Sequence, residues 1–238
     1  MEVVMTQNVA PRGLQTFLLI WFGQLISLTG SGLTGFALGV WVYQRTGSVT
    51  QFALISLFTA LPGIAFSPIA GALVDRWDRR RAMILSDSGA GLCTLSVALL
   101  LLAGRLEVWH IYVAMALSST FSAFQWPAYS AATTLLVPKQ HLGRASGMVQ
   151  IAEATAQIAS PVLAGTLMGV IRIQGVILID FATFLFAVFT LLVARVPGPE
   201  TTSEGKAGQG TLLREATYGW TYIRARPGLL GLLLFFAA

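Results

Sequence analysis

Six long apolar stretches, separated by short charged connectors, constrain this chain more than any other feature of its sequence. A helix rises 1.5 Å per residue, so roughly 20 apolar residues cross the ~30 Å hydrocarbon core of a bilayer. Only 11% of the residues are charged, less than half of the ~25% that is typical of soluble domains. The pattern predicts an all-α membrane protein with six transmembrane helices. These are expected at residues 14–43, 49–74, 82–104, 109–136, 143–171 and 174–194.

The basic residues predict which way the helices are threaded. With the N-terminus in the cytoplasm, 12 of the 15 Lys and Arg residues lie inside, and only Arg45, Arg105 and Arg172 lie outside. This distribution follows the positive-inside rule, and the opposite orientation would invert it. We therefore expect a multi-pass protein of the plasma (inner) membrane with a cytoplasmic N-terminus. Because topology accounts for the net charge of +5, no nucleic-acid partner is expected.

Nothing in the sequence points to an enzyme, a metal site or a cofactor. Cys93 is the only cysteine and lies within the third apolar stretch, and the two histidines are far apart in sequence. The string GKAGQG at 205–210 follows no strand and lacks the Ser or Thr of a phosphate-binding loop. We expect no bound cofactor, no metal ion and no ATP site.

The composition changes after the sixth apolar stretch. The sequence predicts a bundle over residues 1–194, followed by a cytoplasmic linker and an amphipathic helix on the membrane surface over 195–226. Residues 227–238 are apolar, but twelve residues of helix reach only about 18 Å. They are expected to begin a seventh helix, so the chain would be a truncated product or half of a larger protein.

The densest group of charges lies between the second and third stretches, in the string GALVDRWDRRRAM at 71–83. Asp75 is expected at the end of the second helix, where it can pair with Arg79 or Arg80 or accept hydrogen bonds from a helix N-terminus. Making and breaking such pairs suits a latch between two conformations. The alternative is that the arginines determine topology alone.

The fifth stretch carries three polar side chains at helical spacing, Gln150, Glu153 and Gln157, which we expect on one face. Glu153 lies about 15 Å into the helix, where an ionised carboxylate costs at least about 2.5 kcal/mol unless it faces water. It is the leading candidate for proton exchange or for binding a cationic group. The alternative is a structural carboxyl that hydrogen-bonds to a neighbouring helix.

Two further acids lie closer to the ends of their helices. Asp87 is expected to pair with the arginines of the 71–83 loop, with substrate contact as the alternative. For Asp180, a helix-packing or capping role near Arg172 or water and a functional role are both left open. Gln24 is a candidate cavity-lining amide on the first helix. Two glycine pairs, Gly35/Gly39 and Gly165/Gly169, predict close approach of helices.

Gln125 and Trp126 precede Pro127 in the fourth stretch. Proline interrupts the hydrogen-bond ladder of a helix and can bend it towards a cavity. An amide and an aromatic ring at such a bend could hold an amphipathic ligand. We therefore include both residues in the predicted substrate pathway.

The 71–83 loop resembles the signature of the major facilitator superfamily, Gly-x-Leu-x-Asp-Arg-x-Gly-Arg-Arg/Lys. The chain matches it at Gly71, Leu73, Asp75, Arg76, Arg79 and Arg80, and has Asp78 where glycine is usual. Three further strings are similar to the macrolide-efflux and enterobactin-exporter branch of that family. They are FQWPAYSAATTLLVP (124–138), ASPVLAG (159–165) and LLREATYGWTYIRARPGL (212–229).

The resemblance implies one six-helix half of a transporter, built as two inverted three-helix repeats. It implies a cytoplasmic gate motif made of Gly71, Asp75, Arg76, Arg79 and Arg80. It also implies a hinge in the fifth helix at Ser160, Pro161 and Gly165, although two glycines of the antiporter motif are absent there and the fourth helix lacks the arginine of proton antiporters.

The function implied by the resemblance is efflux of an amphipathic small molecule, such as a macrolide or a siderophore, by alternating access. A proton or sodium gradient would drive it, and the missing C-terminal half or a second subunit would complete it. The alternatives are a non-transporting membrane module that interacts with or regulates another protein, or an inactive truncation.

Overall fold

The computed structural model describes residues 11–74 and 76–196, together with Arg224, Arg226 and Gly228. The expected linker, surface helix and seventh helix lie outside the described residues, as does Asp75. Within the described part all regular secondary structure is helical, with one 3₁₀ turn at Lys139–His141. The helices are α1 (Pro11–Thr46), α2 (Val49–Val74), α3 (Arg79–Leu102), α4 (Val108–Leu136) and α5 (Leu142–Val193).

Helix α5 is broken at Arg172, whose φ of 58° and ψ of 176° are not helical. The arm before the break, residues 142–171, runs parallel to α1. Trp21 Nε1 donates to the carbonyl of Met148 near one end. Ser160 Oγ donates to the carbonyl of Thr29, so the second contact lies further along both helices.

The arm after the break, residues 173–193, runs antiparallel to α1. A Cβ added to Gly23 would lie 2.2 Å from Thr190 Oγ1, and one added to Gly30 would lie 2.1 Å from Thr183 Oγ1. Residues further along α1 therefore face residues that come earlier in this arm. The chain therefore reverses direction at Arg172, and the two arms of α5 flank α1.

Among the described residues, four helical ranges are long and apolar enough to cross a membrane. The last contains both arms of α5, and α4, with its 29 residues, is not among the four. The all-α membrane fold is confirmed, whereas the count of six crossings stays a prediction. The four ranges are Gly13–Thr46, Val49–Val74, Arg79–Leu102 and Lys139–Val193.

The buried apolar side chains form two separate clusters. One joins the start of α1 to the end of α5, with Phe17 and Leu191 among its members. The other joins the second half of α1 to the start of α4, and includes Leu38 and Ile111. Between the clusters lies a layer of buried polar residues, which positions the site described below.

Close approach of helices occurs at several glycines of α1, of which only Gly39 was predicted. A Cβ at Gly30 would lie 3.1 Å from the Cα of Asp180. A Cβ at Gly35, Gly165 or Gly169 would meet no heavy atom within 4 Å in the described chain. The expectation of close approach at those three positions is therefore wrong, and only Gly39, which packs against the ring of Phe52, makes a tight contact.

Candidate functional site

A cavity of about 360 Å³ lies in the polar layer between the two apolar clusters. All five helices contribute to its wall, including the second arm of α5. Of the described residues that line it, three are acidic and none is basic. The acids are Asp87 on α3, Glu153 on the first arm of α5 and Asp180 on the second arm.

Asp87 ends a chain of side-chain hydrogen bonds that crosses three helices. Gln125 Nε2 donates to Gln24 Oε1 at 3.0 Å, and Gln24 Nε2 donates to Asp87 Oδ2 at 2.9 Å. Gln24 and Asp87 are 5% and 8% exposed. Gln125 Oε1 is buried and has no hydrogen-bond partner within the described chain, which leaves one acceptor available at the cavity wall.

The expected pairing of Asp87 with the arginines of the 71–83 loop is wrong. Asp87 lies seven residues beyond Arg80, about 10 Å along the helix axis, on the face of α3 that is turned towards α1. An amide hydrogen bond rather than a guanidinium therefore compensates its carboxylate.

Asp180 occupies a second level of the same cavity. Its Oδ1 accepts from Ser31 Oγ at 3.3 Å, and its Oδ2 accepts from Thr94 Oγ1 at 3.2 Å. Its exposed fraction is 2%. These hydrogen bonds from α1 and α3 fit the helix-packing alternative for Asp180, and Arg172 is not among its hydrogen-bond partners in the described chain. Thr94 is two helical turns from Asp87, so the two carboxylates lie at different depths.

Helix α5 brings one of its three predicted polar residues to the cavity. Glu153 lines the wall and is half-buried, whereas Gln150 and Gln157 are exposed and do not line it. At 100° per residue, Glu153 is rotated about 60° from Gln150, which is enough to separate them. Trp126 also lines the cavity, and the buried hydroxyl of Tyr129 has no hydrogen-bond partner among the described residues.

Ser119 on α4 is a structural residue of the cavity wall that the sequence did not single out. Its Oγ accepts from the amide of Gly63 at 2.9 Å and donates to the carbonyl of Thr59. Gly63 and Thr59 are the i and i−4 positions of a helix, so the hydroxyl is inserted into the ladder of α2 beside Pro62. Pro62 in the sequence signals an interrupted hydrogen-bond ladder in α2. It does not indicate that a serine of α4 bonds to the ladder at that point.

The arginines of the gate motif have different environments. Arg80 Nε donates to the carbonyl of Leu191 at 2.6 Å, and its Nη2 donates to the carbonyl of Leu192. Arg79 is partly buried, and its Nε and Nη1 have no hydrogen-bond partner within the described chain. Arg76 is exposed, and a Cβ at Gly71 would meet nothing within 4 Å.

The predicted hinge lies in the first arm of α5. Ser160 is 1% exposed and donates to the carbonyl of Thr29, so it fixes this arm against α1. Pro161 follows inside the helix, and Gly165 has open space at its Cα. Ser160 thus holds the helix against α1, and the segment that follows lacks the backbone hydrogen bond that Pro161 cannot donate.

Among the described residues, no group of three or more His, Cys, Asp or Glu side chains could hold a metal ion. The cavity instead offers carboxylates, amides and hydroxyls beside the aromatic rings of Trp126, Tyr129 and Phe184. Such a wall can hold an apolar body and one polar or cationic group of a small molecule.

A protein family described as Major Facilitator Superfamily matches residues 20–238. Macrolide efflux protein A of Streptococcus pyogenes is 32% identical over 221 residues, which is 92% of this chain and 53% of that protein. An uncharacterized MFS-type transporter of Bacillus subtilis, YfiS, is 31% identical over 94% of this chain and 52% of its own length.

A more distant relative is the enterobactin exporter EntS of Shigella flexneri. It is 25% identical over 225 residues, which is 93% of this chain and 53% of that protein. The chain therefore spans about half the length of the curated relatives it matches.

Proposed function

Because the chain belongs to the major facilitator superfamily, we propose that it forms one half of a secondary transporter that exports amphipathic small molecules. The relatives whose names state an activity are a macrolide efflux protein and an enterobactin exporter. Efflux is accordingly the direction proposed for the whole protein, with alternating access as its mechanism and an ion gradient as its drive.

The observation that carries the proposal is the acidic cavity between two apolar clusters. A buried carboxylate in a membrane protein is costly and marks a substrate or ion pathway by default. Here two buried carboxylates, Asp87 and Asp180, and the half-buried Glu153 line one cavity beside aromatic rings, without a basic residue in the described lining. This charge favours neutral or cationic substrates, so a macrolide fits the wall better than an anionic siderophore does.

Within this site the acids would have separate tasks. Glu153 is half-buried and therefore accessible, which suits the exchange of a proton or sodium ion or contact with a cationic substrate group. Asp87 and Asp180 are held by hydrogen bonds from neighbouring helices. Their protonation would change the contacts between α1, α3 and α5, as alternating access requires.

The membrane orientation completes the proposal. A cytoplasmic N-terminus would place the 71–83 loop inside the cell, where its arginines can act on the cytoplasmic gate. A C-terminal half or a second subunit would close the cavity on its remaining side. The Arg80 contact with the end of α5 indicates that this arginine works within the described half.

The test measures accumulation of a labelled macrolide in drug-sensitive cells that express the longest continuous reading frame containing this chain. We expect accumulation to fall with the wild type and not with Asp87→Asn or Glu153→Gln. Removing either negative charge from the cavity should reduce transport about tenfold, equivalent to about 1.4 kcal/mol. Glu107→Gln removes the same charge from an exposed connector and serves as the control.

The pH dependence of efflux tests the ion-exchange role of Glu153 separately from transport itself. If Glu153→Gln leaves both the rate and its pH profile unchanged, the ion-exchange role of Glu153 is wrong. If neither the wild type nor any variant changes accumulation while all reach the membrane, a non-transporting membrane module is the better explanation.

A further inference from the structure

The 71–83 loop borders a second concave surface, outside the substrate cavity. We propose that this surface binds the head group of an anionic phospholipid, with one acyl chain following α3. The surface, called the 76–88 groove below, has a volume of about 620 Å³. Its lining residues are Arg76, Trp77, Asp78, Arg81, Ile84, Leu85 and Ser88.

The positive charge of the groove comes from two exposed guanidinium groups, Arg76 and Arg81. Arg80 does not line it, because its guanidinium is bound to carbonyls of α5. The string from Gly71 to Met83 contains four arginines and two aspartates, so its formal charge is 4 − 2 = +2. Guanidinium groups match phosphate geometry, and basic clusters beside a transmembrane helix attract anionic lipids.

The carboxylate in the groove is already satisfied by the protein. Asp78 is the N-cap of α3, and its Oδ1 accepts from the amide of Arg81 at 2.9 Å. Trp77 is 39% exposed and lines the same groove, as expected of an aromatic side chain at the depth of lipid head groups. The groove thus combines two cations with an interfacial aromatic ring.

An apolar track continues from the groove along α3, which favours a lipid over a free phosphate. Arg81, Leu85 and Ser88 are spaced to share one helix face. Leu85, Leu92 and Leu99 are 53%, 61% and 57% exposed and recur every seven residues. Leu85 and Leu99 are fourteen residues apart, about 21 Å along the axis, a length that an acyl chain can cover.

The groove and the substrate cavity lie on different faces of α3. Ala82, Met83, Ser86 and Asp87 are buried towards the bundle, whereas Arg81 and Leu85 are exposed. Lipid binding can therefore be altered without changing a residue of the cavity.

Native mass spectrometry of the purified chain in detergent tests the proposal. Phosphatidylglycerol and phosphatidylcholine would be titrated separately, with glycerol 1-phosphate as a soluble competitor. We expect one phosphatidylglycerol to be retained in preference to phosphatidylcholine. Arg81→Gln should weaken that retention about fivefold, in line with the contribution of one arginine near a lipid surface, while Arg81→Lys keeps most of it.

Arg105→Gln is the matched control, because it removes an exposed arginine from the connector between α3 and α4. Its retention of phosphatidylglycerol should stay within about twofold of wild type. Equal losses in Arg81→Gln and Arg105→Gln would overturn a localised site. Full displacement by glycerol 1-phosphate would show that the groove binds phosphate without the acyl chain, and would overturn the lipid assignment.

A photoreactive side chain at position 88 identifies the occupant directly in membranes. Crosslinking to phosphatidylglycerol, reduced by Arg81→Gln, is the expected result. Crosslinking to another polypeptide segment instead of lipid would assign the groove to a protein contact and refute the proposal.

Discussion

Gln24 on α1 donates a hydrogen bond to the carboxylate of Asp87 on α3, across 63 residues of sequence. The bond is buried, so its loss removes a hydrogen-bond donor from a carboxylate inside the bundle. Gln24 is also bound by Gln125 of α4. One amide therefore joins three helices at the level of the cavity.

Gln24→Leu should lower the free energy of unfolding by about 1–3 kcal/mol, the cost of an unsatisfied buried polar group. Combining it with Asp87→Leu should cost less than the sum of the two single changes, because each single change removes the same contact. Unfolding of the detergent-solubilised protein measures this. Ser96→Ala, an exposed hydroxyl that bonds only to its own helix, is the control and should have little effect. Full additivity would contradict the contact.

Ser119→Ala should destabilise the protein by about 1–3 kcal/mol, because it removes the hydroxyl that bridges Gly63 and Thr59. Pro62→Ala in the same chain should recover part of the loss, since a regular ladder could then re-form in α2. Comparison of the two single variants with the double variant by thermal unfolding measures the recovery. If Pro62→Ala does not help, the hydroxyl is not compensating for the proline.

Arg80→Gln should cost about 1–2 kcal/mol, since it removes a cation and two donors from the C-terminal end of α5. Arg80→Lys should lose less, because it keeps the charge but lacks the planar fork of donors. Arg81→Gln changes the neighbouring arginine and should stay within about 0.5 kcal/mol. The three variants are compared by denaturant unfolding, and equal stabilities would refute a structural role for Arg80.

Gly30→Ala should destabilise the protein by about 1–3 kcal/mol, because its Cβ would meet both Thr183 and the backbone of Asp180. Gly35→Ala lies on the same helix with open space at its Cα, and should be neutral or stabilising by up to about 1 kcal/mol. Thermal unfolding of both variants checks the difference. A stable Gly30→Ala protein would contradict the close approach of α1 and α5.

The helices were predictable because apolar length and charged connectors are local properties of the sequence. Residues 49–74 were predicted as the second helix, and α2 has those bounds. The third helix begins at Arg79 rather than at 82, because Asp78 caps it and draws the loop arginines into its first turn. The reversal at 172 was also placed correctly, at an arginine between two apolar stretches.

The partners of the polar side chains were not predictable, because they depend on which helices pack together. Sequence spacing predicts that Asp87 lies near the arginines. Because α1 packs against α3, Asp87 instead accepts a hydrogen bond from Gln24. Similarly, the spacing of Gln150 and Gln157 fits one face with Glu153, but rotations of about 60° and 40° from Glu153 leave them outside the cavity wall. Whether Asp75 acts as a latch stays a prediction.

The position of α1 between the two arms of α5 has a consequence for biosynthesis. Gln24 leaves the ribosome 156 residues before Asp180, whose arm completes the surroundings of α1. At about 5–20 residues per second, this interval lasts roughly 8–30 s. During this interval the glutamine, serines and glycines of α1 are in the bilayer or at the insertion machinery without the helix arm that packs against them in the folded protein. Mutations in α1 are therefore expected to affect its release from the translocon before they affect packing of the finished bundle.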